Sequence, residues 1–325
     1  MEHYFCVVVS TPLLRWNPLG ITIAGTVGIP GATANQLNTP VGLFVDPFNT
    51  LYVADWLNHR VQAWRMGASN GSTVAGRANG TGGMSLSELQ NPGDVALDSN
   101  NNIYVTDVSN QRVQFWTNGA SSGITVAGIT GSAGFANNQL NMAYSLTVDP
   151  NSGAVYISDT GNNRVMFYPS GASSGTIVAG NGTAGYGTTQ LQSPLGLHFD
   201  SFTNSLVIAN YAANNVVRWL LGASNWTLIA GDINGGKGNN STLLNFPFDV
   251  TVDPMGNVYV ADTFNNRIQF FLADHTNGTT IAGITGISGS NSTLLNVPLS
   301  IALDSQLNLY VSDSYNHRIQ KFLRY

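Results

Sequence analysis

Few side chains in this sequence can do acid–base or metal chemistry. Its 325 residues hold 17 acids, 12 bases and five histidines. Two acids stand out by position. In six similar stretches the leading residue of an apolar run is Gly42, Asp94, Ser145, Gly196, Asp249 and Ser300, so Gly, Asp, Ser is written twice. Two positions on come Phe44, Ala96, Thr147, His198, Thr251 and Ala302. Arranged around an axis, the six stretches put Asp94 opposite Asp249, and carboxylates with hydroxyls suit a hard cation. Asp94, Asp249 and His198 are therefore the candidate metal ligands. They would hold a channel cation or serve a metal-dependent hydrolase or lyase at a channel mouth. The alternative is a wet mouth whose polar residues bond water and backbone. Zinc wants three or four ligands from His, Cys or carboxylate, and His198 is the only histidine of these runs. His59 and His317 sit in equivalent turns, where Gln111, Asn163 and Asn266 stand elsewhere, and read as solvated. No activated serine motif or paired acid–base carboxylates stand out. The glycine-rich Gly231–Gly236 lacks the Lys and following helix of a phosphate loop. No catalytic residue and no cofactor is assigned.

What would position these residues is a repeat. Ile21–Gly25 (ITIAG) recurs as STVAG, ITVAG, TIVAG, TLIAG and TTIAG, ending at Gly76, Gly128, Gly180, Gly231 and Gly283. Each unit continues with a polar, Gly-rich stretch, an apolar run ending at Asp46, Asp98, Asp149, Asp200, Asp253 or Asp304, and a short turn. A run such as LYVAD follows, then a five-residue turn and a run such as Arg60–Trp64. Four short runs of period-two character per unit of about 50 residues are the arithmetic of a β-propeller blade. The expected fold is all-β, a six-bladed propeller of four-stranded antiparallel blades. The chain stops after the third strand of the sixth unit, so strand 21–25 is expected to complete that blade and close the ring. Residues 1–20 are then an N-terminal arm and 21–325 a single domain.

Within each unit an Asp precedes an Arg by five residues: Asp55/Arg60, Asp107/Arg112, Asp159/Arg164, Asp262/Arg267 and Asp313/Arg318. In the fourth unit both charges vanish together, as Asn210 and Asn215. Joint loss points to an ion pair that ties the second strand to the third, because removing one partner would strand a buried charge. Asn58, Asn110, Asn162, Asn265 and Asn316 occupy the third turn position, where Asn tolerates a left-handed backbone. The aromatics Trp64, Trp116, Tyr168, Trp219, Phe271 and Phe322 read as core between blades.

The runs Asn58-His59-Arg60-Val61 and Asn316-His317-Arg318-Ile319, set after LYVAD and LYVSD, resemble NHL repeats over about residues 14–325. The resemblance implies a propeller. It does not select a function, because NHL propellers occur in RNA-binding regulators, a zinc-dependent amidating lyase, bacterial sensor domains and cell-surface adhesion proteins. An RNA-binding role needs a basic face; Lys237 and Lys321 are the only lysines and net charge is -5, so nucleic acid is excluded. No apolar run approaches the roughly 18 residues of a membrane span.

The N-x-[ST] sequon occurs at Asn70, Asn79, Asn181, Asn225, Asn239, Asn240, Asn277 and Asn291, always in an expected loop. Asn70, Asn225 and Asn277 are expected on one face and the rest on the other. Sequons and the low charge of 9% favour an extracellular or cell-surface location. Met1–Ser10 lacks the basic start of a signal peptide. Cys6, the one cysteine, is either a small buried hydrophobe or half of an intermolecular disulfide. The expected function is a non-enzymatic interaction module that binds a protein or glycan through its loop faces. A tile packing against copies of itself is a third option.

Overall fold

The computed structural model describes residues 14–325. Cys6, His3 and the Phe5–Val9 stretch lie outside the described residues. Six four-stranded antiparallel sheets are arranged as the blades of a ring. Blade 1 runs Pro40–Val45, Leu51–Asp55, Arg60–Trp64 and Ser72–Gly76, from axis to rim. Blades 2 to 5 repeat it, with first strands Pro92–Leu97, Ala143–Val148, Pro194–Asp200 and Pro247–Val252. Blade 6 takes Pro298–Leu303, Leu309–Asp313 and Arg318–Phe322 from the C-terminus and its outer strand, Ile21–Gly25, from the N-terminus. Ile21 pairs with Lys321 and Gly25 with Arg318, as the register of the repeats requires. The expected arm is, from Leu14 onward, part of the packed domain. Trp16 is buried against Tyr259 and Phe270 and bridges to Arg324.

Short strands form because each unit is punctuated by its own side chains. At the first turn an Asp accepts two backbone N–H groups: Asp46 Oδ1 takes Phe48 N–H at 2.9 Å and Thr50 N–H at 2.7 Å. Asp98, Asp253 and Asp304 do the same. The core then lies between blades. Each of the six apolar clusters joins two neighbours; one unites Val61 and Ala75 of blade 1 with Val95, Val105 and Trp116 of blade 2. Trp64, Trp116, Tyr168, Trp219, Phe271 and Phe322 are all buried there, as expected. A blade alone has nothing to bury these faces against, so stability belongs to the ring.

The Asp–Arg pairs are present and buried. Arg60 Nε meets Asp55 Oδ2 at 2.9 Å. The pairs Arg112–Asp107, Arg164–Asp159, Arg267–Asp262 and Arg318–Asp313 close at 2.7 Å, every side chain at most 3% exposed. Each pair ties the second strand to the third, as expected, and it also reaches further. Asp55 Oδ1 accepts Asn38 N–H, and Asn58 Nδ2 bonds both Asp55 Oδ2 and the Gly31 carbonyl. The Arg60 guanidinium donates to the carbonyls of Ala32, Thr33, Gln36 and Ala78, so one cation folds the connection before its blade and holds the one after it. Arg164 reaches the carbonyls of Phe135, Ala136 and Gln139 in the connection before blade 3, and its guanidinium lies 4.3 Å from the centre of the Phe135 ring. Arg267 donates to the carbonyls of Asn239, Asn240 and Leu243 before blade 5 and to the Thr285 hydroxyl after it.

The turn asparagines also take a role other than the expected one. Asn58 is a hydrogen-bonding spacer in a one-turn 3-10 segment, and the left-handed residue is the next one, His59 with φ 52°. In blade 4, Asn210 Nδ2 donates to Asn215 Oδ1 at 3.1 Å, and the indole N–H of Trp226 donates to the Gln190 carbonyl in the connection before that blade.

The connections between blades descend along the outer strand of the blade they precede. Gly71 N–H bonds Ala34 O, Gly123 N–H bonds Leu86 O, and Gly278 N–H bonds Ser241 O. The sequon sites therefore do not divide between two faces as expected. Asn225 touches Thr188 at 3.0 Å and Asn277 touches Ser241 at 3.4 Å, both in these connections. The same contacts shield the edge strands that could otherwise pair with other chains.

Closure makes a direct prediction. Removing residues 1–25 exposes the Arg318–Phe322 edge and uncovers the core shared by blades 6 and 1. Gel filtration should show loss of the monomer. The melting point should fall by about ten degrees or more, at roughly 3 °C per kcal/mol for a domain this large. An unchanged monomer and melting curve would contradict closure.

Candidate binding face

The first strands circle the axis, and their leading residues meet at its mouth on the side of the Asp–Arg turns. The twice-written Gly, Asp, Ser pattern has a packing cause. Asp94 Oδ2 accepts the Ser145 hydroxyl at 2.7 Å and Leu146 N–H at 3.2 Å, while Oδ1 accepts Val95 N–H at 2.8 Å. Asp249 does likewise with Ser300, Ile301 and Val250. On the other side each Asp lies directly over a glycine: a Cβ on Gly42 would overlap Asp94, and one on Gly196 would overlap Asp249. Each set staples three successive blades at their innermost points. Ser300 also accepts Leu43 N–H at 3.2 Å, so the second set reaches across the closure into blade 1.

Burial pushes the carboxyl of Asp94 up to about 7, with the charge of Asp249 adding to it, against three hydrogen bonds that lower it. Burial likewise lifts Asp249 to about 6. The structure brings these two candidates together around a space of about 10 Å³, room for one water. It does not bring His198 to them. That imidazole is held down to about 4 by burial and lies 3.4 Å from the Thr251 hydroxyl. Among the described residues no three of His, Cys, Asp and Glu converge as a metal site would need. The donor set does not fit a cation coordinated at the mouth, since each Oδ2 already bonds the next blade and each Oδ1 the backbone N–H of the following residue. The five bridge pairs are no part of a site either, because Arg60, Arg112, Arg164, Arg267 and Arg318 are buried with their carboxylates and bonded to loop backbone.

An aromatic cap covers this mouth. Trp56 of blade 1 stacks on Tyr144 of blade 3, centroids 5.5 Å apart and planes 7° apart. Tyr144 meets Phe248 of blade 5 edge-on at 6.0 Å, and Phe248 meets Tyr211 of blade 4 at 6.1 Å. Tyr211, Phe246 and Phe264 continue the chain of rings at 5.0 and 5.3 Å. Phe264 and Tyr315 stand more than half exposed. The residues of this cap were not singled out in the sequence, because Tyr144 and Phe248 share one repeat position and Trp56 and Tyr211 another, yet the remaining blades carry non-aromatic residues at both.

The turn residues after the asparagines form a ring of clamps between blades. His59 Nδ1 accepts Asn91 N–H at 3.1 Å, and His317 Nδ1 accepts Thr39 N–H at 3.1 Å. Gln111, Asn163, Asn214 and Asn266 offer an amide oxygen to Met142, Ser193, Phe246 and Val297 N–H. The histidines are thus structural acceptors and not merely solvated. Each must be neutral at Nδ1, which puts its proton on Nε2.

A closed ring of six four-stranded antiparallel blades defines the class: a six-bladed β-propeller. More narrowly, this propeller carries NHL repeats: the family model described as NHL repeat matches residues 89–115, 244–271 and 295–322, in blades 2, 5 and 6. A curated relative, Protein SUPPRESSOR OF QUENCHING 1, chloroplastic, of Arabidopsis thaliana, is 23% identical over 270 residues, covering 73% of this chain. The chain spans only 25% of that relative's length. Among solved structures, an auxiliary nutrient binding protein from Bacteroides thetaiotaomicron superposes with a TM-score of 0.69 at 17% identity, covering 96% of this chain and 77% of the other. A gluconolactonase from Xanthomonas campestris superposes at 0.64 and 14% identity, covering 96% and 97%. These likenesses show the fold.

The clamps predict a pH effect. Burial depresses both His59 and His317. Folding therefore favours the neutral rings, and their contribution is intact above about pH 6.5, the ordinary imidazole value, and lost as the pH falls below it. Asp94 and Asp249, raised in the fold, work in the opposite sense. The histidines are isolated by His59→Gln with His317→Asn, residues that blades 2 and 5 already use. Urea titrations at pH 8 and pH 5 should show the variant gaining on wild type as the pH drops; a constant difference would remove the clamp's pH dependence.

Proposed function

We propose that this propeller is a non-enzymatic binding module that presents its loop face to a protein or glycan ligand outside the cell. The observation that carries the reading is the aromatic face around a plugged mouth. Phe264 and Tyr315 are exposed and the other rings half-buried, most of the aspartates are used internally, and a rigid ring holds the face in place. Loops on a rigid scaffold are where recognition concentrates. Large aromatics are the residues that give a binding surface most of its energy. The likeness to an auxiliary nutrient binding protein agrees with a binding role. The extracellular part rests on the eight sequon asparagines, all exposed, with low surface charge in support.

The opposite face offers a built-in control, because Phe48 and Phe202 are 78% and 97% exposed there, in turns between first and second strands. On arrays of secreted proteins and glycans, Phe264→Ser with Tyr315→Ser should abolish capture, and Phe48→Ser with Phe202→Ser should leave it unchanged. The reverse pattern would move binding to the other face and overturn the reading. Peptide mapping of the natural protein should find N-glycans at several of the eight sites, and complete absence would remove the extracellular assignment.

A further inference from the structure

We infer that the cleft between blades 6 and 1 on this face is a binding site for a neutral saccharide. The inference rests on the loop-face reading and names the ligand class for one place on it. The cleft has a volume of about 480 Å³ and is lined by Thr39, Trp56, Leu57, Asn296, Tyr315 and His317. That volume lies within the roughly 300–1,000 Å³ of small-molecule sites.

Its chemistry is that of a sugar subsite. Two aromatic side chains, Trp56 and Tyr315, supply flat apolar surface for the C–H faces of a pyranose ring. Trp56 is already fixed by its stacking on Tyr144, so little side-chain freedom is lost when a ligand binds. Around them are groups with no hydrogen-bond partner among the described residues: the Thr39 hydroxyl, the Asn296 side-chain amide, the Tyr315 hydroxyl and the indole N–H of Trp56. His317 adds a donor whose position is fixed. Its Nδ1 is taken by Thr39 N–H, so Nε2 must carry the proton. The set offers donors and acceptors together, as a hydroxyl-rich ligand needs. Among the described residues no carboxylate, Lys or Arg lines the cleft, which argues against a charged ligand.

Two of the equivalent clefts are filled by their own residues. Between blades 1 and 2, Asn91 bonds the Trp56 carbonyl and the Ser109 hydroxyl, so its polar groups are already matched. Between blades 4 and 5, the rings of Tyr211, Phe246 and Phe264 pack on one another. The ring closure thus places an unsatisfied, aromatic-walled cleft on the face.

The repeats themselves supply conservative test variants. Blades 3 and 5 carry Thr at the position of Trp56, blade 2 carries Ser at that of Tyr315, and blade 5 carries Asn at that of His317. Trp56→Thr, Tyr315→Ser and His317→Asn should therefore fold, and His317→Asn keeps the clamp to Thr39. Calorimetric titration would use cellotetraose, mannotetraose and maltotetraose, with a hyaluronan tetrasaccharide as the charged control. The expected result is binding of at least one neutral oligosaccharide, weakened about tenfold or more by Trp56→Thr and by Tyr315→Ser, weakened less by His317→Asn, and unchanged by Phe264→Ser. No neutral oligosaccharide bound at about 10 mM, a preference for the charged one, or binding indifferent to the three substitutions would each overturn the site. If the loop face still captured a protein in a manner sensitive to Phe264→Ser with Tyr315→Ser, the broader reading would stand and only the saccharide would fall.

Discussion

The structure depends on a buried charge that has been given enough to do. A lone guanidinium between strands would be a liability, because the cost of desolvating two charges can exceed their attraction unless further hydrogen bonds satisfy them. Here each arginine spends its donors on one carboxylate and on carbonyls of the connecting loops, and each carboxylate also receives an asparagine amide and a backbone N–H. The pair is thereby a loop organiser. It lets connections rich in Gly, Ser and Asn, with little apolar surface of their own, take one conformation against the outer strand. Arg164 and Arg267 do this for blades 3 and 5 as Arg60 does for blade 1. Burial pushes the pKa of Asp55, Asp107, Asp159, Asp262 and Asp313 upward even so, which shows how much the arginine and asparagine contacts have to offset.

That use of charge explains the character of the surface. Of fifteen aspartates, five lie in the bridges, six cap the first turns and two staple the mouth; only Asp232 and Asp274 stand outside these sets. Half of the ten arginines are likewise inside. A chain that needs most of its charges for architecture leaves a loop face mainly of neutral polar groups and aromatic rings, with Lys237 beside the Phe246 ring, and its blade 6–1 cleft, which no charged side chain lines, suits ligands without charge of their own. The low charge content and the chemistry of the face are one fact seen at two levels.

The fold was legible because everything that specifies it is repeated. Six copies of the strand pattern, the Asp at the first turn and the Asp–Arg spacing each gave independent readings of one blade, and the joint change at Asn210 and Asn215 exposed the pairing. The reach of Arg164 and Arg267 into the connecting loops was not legible, because those loops differ in sequence and the arginines meet only their backbone carbonyls. The candidate face was legible only in part. Asp94 and Asp249 were found by their period, yet the sequence could not show that their oxygens were already occupied, since Ser145 and Ser300 belong to the next blade. The aromatic cap was not legible because its two repeat positions, that of Tyr144 and Phe248 and that of Trp56 and Tyr211, carry aromatics in only some blades, and the side chains meet only through the curvature of the ring. The clamp position did carry a signal: His, Gln and Asn differ in shape, but each offers an acceptor, and no aliphatic residue stands there.

The most direct test of the central claim is a double-mutant cycle at Asp107 and Arg112 in blade 2, with stability read from urea unfolding. Arg112→Asn alone should cost about 3–5 kcal/mol, because it leaves a buried carboxylate uncompensated, and Asp107→Asn combined with Arg112→Asn, the pair blade 4 uses, should cost clearly less than the two single changes added together. Single changes that each cost under about 1 kcal/mol and simply add would show that the bridge is incidental to the ring.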